Sequence, residues 1–232
     1  MLQLSKIIFT SLLITIIVKQ SIAQPNKFKF DQIGIEQGLS QTTVYAITQD
    51  KYGFMWFGTD DGLNRYDGYS INIFKNSQND SNTIADNTIL NLLSDKNGDL
   101  WIGTRRGGLD RYVITENRFF HYKFNSDDSS TINNNNISTI YQDSNGNLWI
   151  GTRQGLNLYN PNTDSFIRIY FYNKSSIISE IIPVISICED ETKDFWIGSP
   201  GGLFRFKREL YLPILEKKID DPSSLIKPYY IA

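Results

Sequence analysis

Trp149-Ile150-Gly151-Thr152 decides the fold, because the chain contains this tetrapeptide four times. The other copies are Trp56-Phe57-Gly58-Thr59, Trp101-Ile102-Gly103-Thr104 and Trp196-Ile197-Gly198-Ser199, and together they hold all four tryptophans. The tryptophans stand 45, 48 and 47 residues apart, a period that belongs to propeller blades or helical solenoid units. Working outward, an aspartate lies six residues before each tryptophan: Asp50, Asp95, Asp143 and Asp190. A glycine lies three before it in three copies (Gly53, Gly98, Gly146), and Lys193 takes that place in the fourth. Further upstream, apolar residues fall three apart: Val44 and Ile47, Ile89 and Leu92, Ile137 and Ile140, Val184 and Ile187. Downstream come Gly-Leu pairs at Gly62, Gly108, Gly155 and Gly202, then an aromatic residue at Tyr66, Tyr112, Tyr159 and Phe206.

Apolar residues three apart fit one face of a helix. The segment, however, runs only about seven residues before an Asp-x-x-Gly turn, shorter than an ordinary helix. Asn97-Gly98 and Asn145-Gly146 are strong hairpin signals, since both central positions of a type I′ turn need positive φ. The flanking stretches are rich in β-branched and aromatic residues. Strands are therefore predicted, in the third copy near 137–143, 147–152, 156–159 and 165–171. A sheet with two apolar faces buries both by stacking against its neighbours around an axis. The expected fold class is all-β: propeller blades of four antiparallel strands, about four blades being present. Trp56, Trp101, Trp149 and Trp196 would plug the spaces between sheets, each burying about 150–250 Å²; a sugar-stacking surface is the alternative. Gly58, Gly103, Gly151 and Gly198 would let neighbouring backbone approach closely.

The chain is 40% hydrophobic and 21% charged with a formal net charge of −2, so it carries no electrostatic footprint for nucleic acid. Arg105-Arg106 reads as solvated surface. Residues 1–23 differ from the rest: Lys6, an apolar stretch from Ile7 to Val18, then Ser21-Ile22-Ala23. This pattern predicts a secretory signal peptide, too short for a comfortable membrane span, with an uncleaved anchor as the alternative. Cleavage would leave Gln24 first and, by removing Lys6 and Lys19, bring the formal charge to −4.

Linkers repeat as well. Asp80-Ser81-Asn82-Thr83-Ile84, Asp128-Ser129-Ser130-Thr131-Ile132 and Asp221-Pro222-Ser223-Ser224-Leu225 are versions of one segment. The expected organisation is a signal peptide at 1–23, an outer closing strand at 24–36, and blades at 37–83, 84–131, 132–178 and 179–219. Residues 220–232 then read as the start of a fifth blade that the sequence does not contain. On this reading the chain is the N-terminal part of a longer protein or a truncated gene product.

Catalytic signatures are sparse. Cys188 lies in the apolar run Ile185-Ser186-Ile187-Cys188 and reads as a buried small hydrophobe. His121, the one histidine, falls on an outer strand more than sixty residues from Cys188, so no Cys-His pair or zinc site is expected. The Asp-x-x-Gly loops lack the six or more oxygens that calcium needs, and turn formation accounts for both residues. Paired carboxylates such as Glu116 and Glu189 could serve glycoside hydrolysis, yet nothing ranks one pair above another. The expectation is no catalytic residue, no metal and no cofactor, with the ligand-binding residues unidentified.

The unit Ile-x-x-Ile-x-x-Asp-x-x-Gly-x-x-Trp-Ile-Gly-Thr-x-x-Gly-Leu-x-x-Tyr resembles the two-component regulator propeller repeat. Gly38-Leu39-Ser40-Gln41-Thr42-Thr43-Val44 is similar to the opening of these sensor domains. The resemblance covers roughly residues 28–232. It departs at one extra residue in Arg105-Arg106-Gly107-Gly108, at Lys193, and at Leu158 where other copies have Arg65, Arg111 and Arg205. It implies an incomplete part of a seven-bladed propeller in the periplasmic sensor of a hybrid histidine kinase of the Bacteroidetes type. It also implies an oligosaccharide ligand, a homodimeric parent, and membrane, kinase and DNA-binding elements outside this chain. A secreted propeller lyase or glycosidase, and a purely protein-binding propeller, are the rival readings.

Overall fold

The computed structural model describes residues 29–169, 171–172, 179–180, 182–207 and 209. The expected signal peptide, residues 24–28 of the expected outer strand, and the segment 220–232 lie outside the described residues. The chain divides into two units, residues 1–32 and 33–232. In the first, residues 29–32 form no strand, and Lys29 Nζ lies 3.6 Å from Asp31. The second begins with a 3-10 turn, Ile35–Gln37, and contains the blades.

Blade 1 is β1 (Val44–Gln49), β2 (Met55–Thr59), β3 (Gly62–Tyr66) and β4 (Ile71–Phe74). Blade 2 is β5 (Ile89–Ser94), β6 (Leu100–Thr104), β7 (Leu109–Val113) and β8 (Arg118–Tyr122). Blade 3 is β9 (Ile137–Gln142), β10 (Leu148–Thr152), β11 (Gly155–Asn160) and β12 (Ser165–Ile169). A short pair follows, β13 (Phe171–Tyr172) and β14 (Ser179–Glu180), then blade 4 with β15 (Ser186–Glu189), β16 (Phe195–Ser199) and β17 (Gly202–Phe206). Each sheet is an antiparallel meander in chain order. The protein is all-β, as the repeat predicts.

The hairpin between the first two strands of each blade differs from the expected type I′ turn. Gly98 N–H donates to Asp95 O and Asp95 N–H to Asp99 O, both at 2.9 Å. Gly98 has φ 91° while Asn97 is not left-handed. This is a three-residue loop, a right-handed turn followed by one left-handed residue. The aspartate causes it: Asp95 Oδ1 accepts the N–H groups of Asn97, Gly98 and Asp99 at 2.8, 2.8 and 3.0 Å, which requires them to converge on one oxygen. In blade 4 Lys193 holds the left-handed position at φ 69°.

The first strands of successive blades pack on one another, β1 on β5, β5 on β9 and β9 on β15, so they are the axial strands. No contact of comparable extent joins β15 to β1 among the described residues, and these sheets do not close into a ring. Trp56, Trp101 and Trp149 each face the following blade. Trp56 packs with Ile89, Leu100 and Ile102, Trp101 with Ile137, Leu148 and Ile150, and Trp149 with Val184, Phe195 and Ile197. Trp196 is only partly buried, and its blade-mate Leu203 is 57% exposed. Cys188, expected to be buried, is exposed. It pairs across the sheet with Trp196, on the face that in blades 1 to 3 is covered by a following sheet. The apolar run around it is real, but no described sheet covers its Trp196 side.

Candidate functional site

The repeated residues form one construction. In every blade the aspartate Oδ2 accepts the tryptophan indole N–H: Asp50 to Trp56 at 2.7 Å, Asp95 to Trp101 at 2.9 Å, Asp143 to Trp149 at 3.0 Å and Asp190 to Trp196 at 2.8 Å. Oδ1 meanwhile holds the turn, accepting Tyr52 and Phe54 N–H in blade 1 and Thr192 and Asp194 N–H in blade 4. One carboxylate thus fixes both the loop and the ring. The Asp190 carboxyl is held down at about 2, chiefly by the Thr192 hydroxyl and then by the Trp196 indole. Charge-assisted bonds of this kind are the strong class.

Glycine follows at the point of closest approach between blades. A Cβ on Gly151 would lie 2.7 Å from Val184 Cγ1 of blade 4 and 2.5 Å from Thr139 Cγ2. Gly58 and Gly103 meet Ile89 and Ile137 of the next blade in the same way, at 2.7 and 2.8 Å. At Gly198 the nearest atom belongs to Ser186 of its own blade. In blades 1 to 3 the aspartate, tryptophan and glycine all pack within or between blades, which turns attention to positions that differ between blades.

Such positions gather at two places. The first is the end of the blades where the second strand turns into the third, the end that also receives each inter-blade linker. There Tyr45 OH donates to Asp60 Oδ2 at 2.6 Å, Arg105 lies 3.6 Å from Asp60 Oδ1, and the Arg105 guanidinium sits 5.9 Å from the Tyr45 ring centre. The Asp60 hydrogen bond is the main cause that raises the Tyr45 phenol above its ordinary pKa. Tyr45 is the bulge residue of β1, and its counterparts are Leu90 and Ser138. Asp60 corresponds to Arg105, Arg153 and Pro200. This cluster joins blades 1 and 2, and it engages Arg105, which the sequence reading treated as solvated surface.

The second place is β7–β8. His121 is on the outer strand, as its position suggests, and its Nδ1 lies 2.7 Å from Asp110 Oδ1. Asp110 is fully buried and was not singled out from the sequence. The signal was available, because Asp110 replaces Asn64 of blade 1 and Asn157 of blade 3. Cys188 lies in blade 4 and His121 in blade 2, so they are not brought together. Glu116 lies in the β7–β8 turn of blade 2, whereas Glu189 ends β15 of blade 4 and is bonded by Ser144 N–H and Oγ at 2.8 and 3.0 Å. Among the described residues no group of three or more His, Cys, Asp or Glu is placed to hold a metal.

A family profile described as Two component regulator propeller matches residues 38–61, 83–106 and 131–154, the aspartate turn and tryptophan strand of blades 1 to 3. Histidine kinase P4 of Formosa agariphila is 38% identical over 78 residues, which are 34% of this chain and 6% of that protein. The extracellular domain of BT3049 from B. thetaiotaomicron, assigned as a hybrid two component system, is 31% identical with a TM-score of 0.69. The match covers 77% of this chain and 25% of that domain. Virginiamycin B lyase from Staphylococcus aureus, at 16% identity and a TM-score of 0.51 over 73% of this chain and 57% of that one, shares the fold alone. The chain therefore spans a small part of the relatives that resemble it in sequence; it is a segment of β-propeller blades, three of which match the two component regulator propeller repeat.

Proposed function

We propose that this chain is a ligand-sensing propeller module of a two-component signalling protein, exported to the periplasm, with its kinase output encoded elsewhere in the parent. The likeness to the BT3049 extracellular domain, in sequence and fold over 77% of the chain, carries this reading. The division of labour among residues supports it: the repeated ones serve the scaffold, and one cluster of unrepeated polar and aromatic ones, Tyr45, Asp60 and Arg105, lies at one end of blades 1 and 2. No residue is assigned a catalytic role. The signal is an oligosaccharide released by polysaccharide breakdown, and the parent acts as a homodimer. Tyr45, Asp60 and Arg105 suit such a ligand, offering a half-exposed ring face beside a carboxylate and a guanidinium in the mix of apolar platform and oriented polar groups that small-molecule sites use.

Calorimetric titration of the full chain with a panel of neutral and acidic oligosaccharides tests this. Saturable binding by one class, weakened at least tenfold in Tyr45→Ala and Arg105→Ala, is expected. Binding that both variants leave unchanged removes the site, and turnover of the sugar by the chain alone removes the non-catalytic assignment.

A further inference from the structure

Both ring nitrogens of His121 face oxygen. Nδ1 lies 2.7 Å from Asp110 Oδ1 and Nε2 lies 2.9 Å from the Ser81 carbonyl. A carbonyl oxygen can only accept, so Nε2 carries a proton. Nδ1 then either donates a second proton to the Asp110 carboxylate or accepts one from a neutral Asp110 carboxyl. In both cases the pair holds one proton more than a carboxylate beside a neutral imidazole. Removing that proton leaves a lone pair on one ring nitrogen pointing at an oxygen, and one of the two bonds fails. The remaining Asp110 oxygen accepts Ala85 N–H at 2.7 Å, so the carboxyl has no slack to turn away.

Blade 3 shows what this position does. Asp110 pairs across the sheet with His121, and its counterpart Asn157 pairs with Arg168. The Arg168 guanidinium ties down the linker that enters blade 3, bonding Thr131 O, Asp128 O and Asn125 O at 2.8, 2.8 and 2.9 Å. The linker entering blade 2, Asp80-Ser81-Asn82-Thr83-Ile84, is the counterpart of Asp128-Ser129-Ser130-Thr131-Ile132. His121 holds it through Ser81. Arginine stays charged at every physiological pH, whereas histidine does not. The same mechanical tie is thus permanent in blade 3 and titratable in blade 2.

We propose that Asp110 and His121 form a proton-operated latch on the linker 80–86, whose deprotonation loosens the entry to blade 2. That linker places fully buried Ile84 against Trp56, and Asp86 Oδ2 accepts Arg106 N–H beside the Tyr45–Asp60–Arg105 cluster, so the latch reaches the blade 1–blade 2 seam. The charged groups around His121 are Lys123 on its own strand side, Asp80 on the linker, Glu116 and Arg118 from the β7–β8 turn, and Asp128 and Asp164 toward blade 3. Of these, Lys123 opposes the charged imidazole. The bond to Asp110 raises the His121 imidazole above its ordinary range, against the effect of its own burial. The latch is therefore fully closed below about pH 6.5 and opens as pH rises through the elevated value.

His121 is the chain's one histidine, so its imidazole gives a single set of nitrogen signals by NMR. We expect these to titrate above pH 6.5 in the full chain. Hydrogen-exchange protection of amides 80–86, corrected for the intrinsic pH dependence of exchange, should fall at least tenfold across that titration. Amides 128–132, tied by Arg168, should not respond. The double variant Asp110→Asn, His121→Arg rebuilds the blade 3 pairing and should abolish the pH response while keeping the fold. A titration at or below 6.5, protection at 80–86 that does not follow it, or a double variant that retains the response would each overturn the latch.

Discussion

Replacing Asp143 by asparagine changes one atom and should cost several kilocalories. Asp143 is 1% exposed and receives four donors. Oδ1 takes Asn145 N–H and Asn147 N–H at 3.0 and 2.8 Å, and Oδ2 takes the Trp149 indole N–H and the Asn147 side-chain amide at 3.0 and 2.8 Å. An asparagine has one acceptor oxygen and one NH₂. If that oxygen keeps the turn amides, the NH₂ confronts the indole N–H, which is buried with Trp149 at 0% exposure, and the side-chain amide of the part-buried Asn147. If it keeps the indole, two turn amides are orphaned. The lesser loss is one buried unsatisfied donor, about 1–3 kcal/mol, together with the drop from charged to neutral acceptor at two amides, about 1 kcal/mol each. The sum is about 3–5 kcal/mol, a large share of the 5–15 kcal/mol typical of a folded protein.

Urea unfolding followed by tryptophan fluorescence measures this, in a cycle with Trp149→Phe, which deletes the indole donor. The two changes should be coupled by about 1–3 kcal/mol, since in the phenylalanine background no indole N–H remains to be orphaned. An Asp143→Asn cost below about 1 kcal/mol, or additivity of the two within about 0.5 kcal/mol, would refute the assignment of the aspartate as the shared anchor of turn and ring.

Gly151→Ala should destabilise by about 1–3 kcal/mol, because its Cβ would press on Val184 and Thr139; a melting temperature equal to wild type would show that blades 3 and 4 separate freely. Arg65→Leu should change stability by no more than about 1 kcal/mol in either direction: Arg65 Nε is buried without a hydrogen-bond partner and Leu158 fills the same register position in blade 3. Against that gain stand the lost contacts of the guanidinium with the Phe54, Trp56 and Phe74 rings at 4.9, 5.8 and 5.9 Å, about 0.5–1 kcal/mol each. Arg111→Leu, which abandons Asp99 at 2.8 Å, should lower the melting point, and the reverse order of the two variants would sink this reasoning. The depressed Asp190 carboxyl contributes stability that is present above its unfolded value near 4 and is lost as pH falls through about 2. A carboxyl carbon titration placing Asp190 near 4 in the folded chain would contradict it.

The tryptophan period, the aspartate before it and the β-rich flanks made the blades legible in the sequence, because these residues do the same job in each copy. The turn type was misjudged from Asn97-Gly98. That dipeptide carries the hairpin signal, but the Asp95 carboxylate, two residues upstream of the asparagine, dictates the handedness. Cys188 was misplaced because an apolar run reports which face a strand presents and not whether another sheet covers it. Asp110 escaped notice for a third reason. Its meaning lies in a cross-strand partner, His121, and in a departure from the asparagines of two other blades, and neither shows in a local pattern.

The direction in which the tryptophans point sets an order of events during synthesis. A blade's own hairpin can form within about 1–10 μs, but its indole finds its apolar partners only when the next repeat, some 47 residues later, has emerged. At about 5–20 residues per second each ring waits for seconds. The Asp143–Trp149 bond spans only six residues, so it can form in the nascent hairpin before any neighbour exists. The aspartate then acts as a placeholder, keeping a sticky surface oriented toward the side from which its partner will arrive.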